Sequence, residues 1–148
     1  MSQLALLVCL AATLYMTGVI WTIQAVQYPL FALVGPAEFA AFHAAHSARI
    51  TPVVFVAMSA ELLSSLALLA ARPAPVPGWL AWAGAACALL TWGLTVLVQV
   101  PQHGLLAAGY SAETIAALVR GNWLRTAAWS AHGAIVLAMV WLALARAD

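Results

Sequence analysis

His46 and His103 are the side chains of this chain best suited to acid–base or metal chemistry, and each stands in polar company. Arg49 follows His46 by three residues, Gln99 precedes His103 by four, and Asn122 is followed by Arg125 at the same spacing as His46 and Arg49. An imidazole exchanges a proton near neutral pH and binds zinc, copper or iron through a ring nitrogen. A guanidinium or carboxamide holds an oxygen on which negative charge develops. These types define a site in which His46 or His103 serves as general base or ligand of a transition metal. Asn122 and Arg125 would steady the oxyanion, and Gln27, Gln99, Arg49 and Trp123 would contact a cofactor or substrate. His43, three residues before His46 in FHAAHSAR, adds little, because HxxH without its intervening glutamate is a weak metal signature.

Glu61 and His132 form a second set, each deep inside an apolar stretch. A carboxyl at such depth costs about 2.5–3.5 kcal/mol on insertion scales and is a functional candidate by default. The alternative is a protonated Glu61 bonded to a neighbouring helix through Thr17, Thr91 or Thr95. His132 sits in SAHG, a small-residue stretch suited to close helix packing. Fifteen residues separate His46 from Glu61, about 22 Å of continuous helix, so the two sets cannot share one ion.

The elements that must position these residues are membrane helices. The chain has 148 residues, of which 66% are hydrophobic and 6% charged, against about 25% charged in soluble domains. Its mean hydropathy is +1.03. Lysine is absent and the net charge is +1, which gives no basis for nucleic-acid binding. The two cysteines form no CxxC pair and read as packing residues. Apart from Trp123, the seven tryptophans read as interfacial belts or bundle packing.

Residues 4–28, 51–71, 79–100 and 126–145 are apolar stretches near the length of about 20 residues that spans a bilayer. Lipid offers no partner to the backbone, so they are helices. The pattern predicts an all-α bundle of four transmembrane helices, one integral membrane domain over residues 1–148. The first stretch lacks a basic leader and reads as a transmembrane helix, not a signal peptide. RPAPVPG, residues 72–78, makes a tight turn that leaves helices 2 and 3 antiparallel neighbours.

The other two connections share a plan. Gln27-Tyr28-Pro29 and Gln99-Val100-Pro101 lie 72 residues apart, and the prolines are expected to end helices 1 and 3. Short amphipathic helices then restart at Pro36, a good first-turn residue, and at Ser111, a good N-cap with Glu113 behind it, and lead into helices 2 and 4. Past these turns Phe39, Phe42, His46 and Arg49 match Ile115, Leu118, Asn122 and Arg125 at an offset of 76. The chain thus reads as two hairpins of one design, related by a pseudo-twofold axis along the membrane normal. That symmetry gathers Gln27, Gln99, His46, Asn122, Arg49 and Arg125 at one face of the bundle beside His103, with Gln24 one turn deeper. His43 is matched by Val119 and reads as interfacial and dispensable. Arg49, Arg120 and Arg125 outnumber Arg72 and Arg146, which favours the long connections on the cytoplasmic side.

At WTIQAVQYPLFALVG, FHAAHSARITPVV, QVPQHGLL and NWLRTAAW the chain resembles a group of small bacterial four-helix membrane proteins of unassigned function. More loosely it is similar to the anthrone-oxygenase-like family, the likeness running from Trp21 to Trp129. The resemblance implies an oxygenase acting on a lipophilic aromatic, with a site at His46, His103, Asn122 and Arg125; such likeness is analogy about function.

The expected function is a membrane-embedded oxidoreductase acting on an aromatic or quinone-like molecule drawn from the lipid bilayer. Two alternatives stand beside it: a haem- or quinone-binding redox subunit, and a non-catalytic membrane module or transporter subunit. The expected location is multi-pass in a bacterial inner membrane, with homo-oligomers permitted.

Overall fold

Each apolar stretch pairs its own backbone by coiling, and the helices then bury small and polar residues against one another. The computed structural model describes residues 1–145; Arg146, counted above in the charge balance, lies outside them. The helices are α1 (Ser2–Phe31), α2 (Pro36–Ala70), α3 (Gly78–Leu106) and α4 (Ala112–Leu144), all long and apolar enough to cross a membrane. No strand occurs among the described residues. α1 packs on α2 and α4, and α3 packs on the same two, so the four stand at the corners of a square with sequential neighbours touching. Short up-and-down connections give this arrangement.

Pro29 and Pro101 do not end their helices. α1 continues to Phe31 and α3 to Leu106, and each proline is preceded by a five-residue π-helical turn, Ile23–Gln27 and Thr95–Gln99. A proline clashes with the carbonyl four residues back and offers no N–H. The wider turn absorbs both faults: the Tyr28 N–H bonds the Ile23 carbonyl and the Val100 N–H bonds the Thr95 carbonyl, each five residues apart. Such turns often occur at functional sites. The expected amphipathic extensions run straight into helices 2 and 4. α2 runs unbroken for 35 residues with Pro52 inside it, and α4 for 33.

Pro36 stands in the first turn of α2, and Ser111 caps α4 by accepting from the Thr114 N–H at 3.2 Å. The preceding turn passes through Gly109 at φ +141°, a backbone conformation that glycine alone adopts readily. In the turn between α2 and α3, Arg72 Nε donates to the Val76 carbonyl at 3.0 Å.

Exposed tryptophans mark two levels. Trp21 and Trp123 meet edge to face at one end; Trp79, Trp82 and Trp141 stand exposed at the other. Trp123 and Trp141 are 18 residues apart on α4, about 27 Å, close to the roughly 30 Å hydrocarbon core. His132 lies nine residues from each, at the midplane. Asn122 and Arg125 lie at the Trp123 end.

Candidate functional site

Three histidines meet at that end. The stripe Phe39, His43 and His46 is the buried face of the first turns of α2, at the spacing a helix gives to one side. His103 comes to it from α3. His43 Nε2 lies 2.9 Å from His103 Nδ1, and Tyr28 Oη lies 3.0 Å from His103 Nε2. The rings of His46 and His103 stack at 5.8 Å between centroids. Fully buried Phe31 packs edge-on against all three imidazoles. The reading of His43 as interfacial is therefore corrected: it is 2% exposed and bonds one nitrogen of His103. The bonds from Tyr28 through His103 to His43 can run in either direction, so a proton accepted at Tyr28 Oη can pass through His103 to His43 Nε2, leaving His103 neutral in its other tautomer and His43 as the imidazolium.

Beside this relay lies a second chain. Arg125 Nη1 donates to Asn122 Oδ1 at 2.9 Å, Asn122 Nδ2 donates to Gln24 Oε1 at 2.9 Å, and Gln24 Nε2 donates to the Val119 carbonyl at 3.3 Å. The Arg125 guanidinium rests 5.1 Å from the centre of the Trp129 ring. Asn122 is thus bonded from both ends and fixes Arg125.

A cavity of about 360 Å³ opens between α2 and α3. Phe55, Val96 and Val100, all exposed apolar residues, form its outer rim. Inside it are Tyr28, Gln99, His103 and Arg125, with Trp92 on one wall. Both amide atoms of buried Gln99, and Nε of Arg125, have no hydrogen-bond partner among the described residues. Orphaned polar atoms beside an apolar entrance suit a ligand with a greasy body and an oxygen-bearing end.

The other expected residues are divided by α2. His46, Gln27 and Arg49 line a different cavity, between α1 and α2. Gln27 Nε2 lies 3.0 Å from His46 Nδ1. Arg49 and Arg125 are not equivalent: Arg49 is exposed and Arg125 buried, so the expected symmetric pair does not form. Trp123 is half exposed against Trp21 on the outer surface, outside both cavities.

A transition metal shared by His46 and His103 does not fit this arrangement. Both ring nitrogens of His103 are hydrogen-bonded, and among the described residues no three His, Cys, Asp or Glu are placed to hold a metal ion. Haem between the two histidines fails on geometry as well. Axial imidazoles point a nitrogen at the iron, whereas these rings lie face to face with 20° between their planes.

Glu61 and His132 meet at the midplane. Glu61 Oε1 lies 2.7 Å from His132 Nδ1, and Trp129 Nε1 donates to Glu61 Oε2 at 2.9 Å. The carboxyl partners are His132 and Trp129, both on α4, not the Thr17, Thr91 or Thr95 of the alternative reading. His132 Nε2 has no partner and faces Gly84, where an added Cβ would lie 3.3 Å away. The expected close packing at His132 is thus present together with a buried pair.

Tyr28 joined the site without being expected there, whereas Gln24, expected one turn below the rim, is bonded to Asn122. Tyr28 stands inside the Q-Y-P signal itself, but Val100 replaces it in the second hairpin and the symmetry argument passed over it. A scan against family models finds no match to the chain, and searches of curated proteins and of solved structures find none either.

Proposed function

We propose that this chain is a multi-pass enzyme of a bacterial inner membrane, an oxidoreductase that takes a lipophilic aromatic carrying ring oxygens into the cavity between α2 and α3. The observation that carries this reading is the cavity itself: an apolar rim at the lipid-facing surface and, inside, four polar side chains, two with unpartnered atoms. Resemblance to the anthrone-oxygenase-like family points to the same class of molecule.

On this reading the substrate ring lies against Trp92 and Phe55, with its oxygen at Arg125 and Gln99. Tyr28 Oη takes a proton from the ring CH₂ as His103 takes the tyrosine proton, so the imidazole is the net base. The resulting aryloxide is held by the Arg125 guanidinium, which Asn122 fixes in place. Dioxygen is the oxidant: one of its atoms becomes the new ring carbonyl and the other leaves as water with both CH₂ hydrogens. His103, which lines this cavity, supplies this chemistry; His46 stacks on its ring but lines the groove between α1 and α2 instead. The same reading takes the two hairpins as diverged copies of one unit, supported by the π-helical turns 72 residues apart.

The test is oxygen uptake by detergent-purified protein given 1,8-dihydroxyanthrone. Wild type is expected to consume one dioxygen per anthrone, and His103→Ala to lose about 10²-fold or more of the rate, as for a lost general base. Uptake no faster than in detergent buffer would overturn the enzyme reading and leave a binding module. A quinone enters the same cavity equally well; binding of a quinone without oxygen uptake would favour the redox-subunit reading.

A further inference from the structure

We propose that the groove between α1 and α2 is a binding site for one anionic phospholipid, with its phosphate on Arg49 and His46 and one acyl chain laid along Gly18. The proposal concerns the face of α2 away from the cavity described above and does not depend on it.

Two cavities, about 350 Å³ and about 430 Å³, share Gln27, Ile50 and Val53 and form one continuous groove. Its two ends differ in chemistry. The polar end holds Gln27, His46 and Arg49; the other is lined by Leu14, Tyr15, Gly18 and Val19. From Leu14 to Gln27 is 13 residues, about 20 Å of helix, enough to follow a chain through one leaflet of a core about 30 Å thick.

The polar end is built to receive negative charge. Arg49 is exposed, its one hydrogen bond is a 3.5 Å contact to the Ala45 carbonyl in its own turn, and no described carboxylate pairs with it. His46 is only 8% exposed, yet its Nε2 has no partner. Because the Gln27 amide donates to Nδ1, the neutral ring carries its proton on Nε2, a buried N–H with no acceptor of its own. A guanidinium and an imidazole N–H together match two oxygens of one phosphate, which a zwitterionic lipid presents with its charge already balanced.

The apolar end is open by design of its small residue. A Cβ added at Gly18 would meet nothing within 4 Å, so the space over it is free for a chain. The same fact supplies a clean way to fill it.

The experiment is native mass spectrometry of the detergent-purified protein offered equal amounts of phosphatidylglycerol, phosphatidylcholine and oleate. One phosphatidylglycerol is expected to remain bound, preferred over phosphatidylcholine by about fivefold, the worth of one arginine at a lipid surface. Arg49→Gln should erase that preference, while Arg120→Gln, at an exposed arginine of the same end, should leave it unchanged. Gly18→Leu should lower retention of both phospholipids. Circular dichroism checks that each variant keeps its helices, and Arg49→Gln alters only an exposed side chain. Equal retention of the two phospholipids, oleate held in place of phosphatidylglycerol, or equal losses in Arg49→Gln and Arg120→Gln would each overturn the proposal.

Discussion

At the midplane, Glu61, His132 and Trp129 answer one another. Each carboxyl oxygen has its own donor or partner, every member is fully buried, and the ring nitrogen left over faces a glycine. At the Trp123 end the arrangement is reversed. His103 and Asn122 are bonded from both sides, but Gln99 is bonded by neither amide atom, Arg125 keeps Nε free, and His46 keeps Nε2 free. Gln99, Arg125 and His46 line cavities, whereas Gln102, whose Oε1 is also free, lines neither; the paired residues hold the cavity-lining ones still. A polar group deep in a membrane bundle therefore does not by itself mark a site. Its unmet hydrogen bonds beside a space do.

Breaking the midplane pair should give the largest effect. Glu61→Ala leaves His132 and Trp129 without their acceptor and is expected to cost about 3–5 kcal/mol, the usual loss when one member of a buried pair is removed. Thermal unfolding in detergent measures it. Glu61→Met combined with His132→Phe removes both members and should recover most of that loss. A single variant that melts with the wild type would reduce the pair to a spectator.

His43→Ala should come next. It leaves His103 Nδ1 buried without a partner, for a cost of about 1–3 kcal/mol, and should slow oxygen uptake as well. A variant that keeps both stability and rate would show His43 to be dispensable.

Gln99→Leu sharpens the contrast between the two layers. Removing an amide that has no partner should leave stability unchanged or raise it by up to about 1 kcal/mol, because no hydrogen bond is lost. Destabilisation by more than that would show that Gln99 is structural. The smallest effect belongs to Trp123→Phe, at an exposed surface position, where stability should move by less than about 0.5 kcal/mol and oxygen uptake should not change.

Much of the architecture was legible in the sequence, because lipid permits few structures and the apolar stretches are long. The Ser111 cap, the Pro36 start and the tight turn at residues 72–78 follow from local chemistry. The prolines misled because their exclusion from a regular helix is a rule for a turn of 3.6 residues, and the π-helical turns escape it. In the site, symmetry found His46, Asn122, Gln27 and Gln99, each of which has a counterpart. It passed over Tyr28 and His43, whose counterparts are Val100 and Val119, and those two residues hold His103 from either side. The four-residue step from Phe39 to His43 was the available signal, since it continues one buried stripe. Which side of α2 each polar residue faces depends on helix packing, and no spacing in the sequence expresses it.

The most direct test of the central claim is calorimetric titration of the detergent-purified protein with a soluble naphthoquinone. Wild type should bind one molecule saturably. Gln99→Leu, folded and at least as stable, should bind about tenfold or more weakly through the lost polar contact, and Val96→Trp, which crowds the rim, should bind weakly too. Equal affinity in all three proteins would contradict a ligand site between α2 and α3.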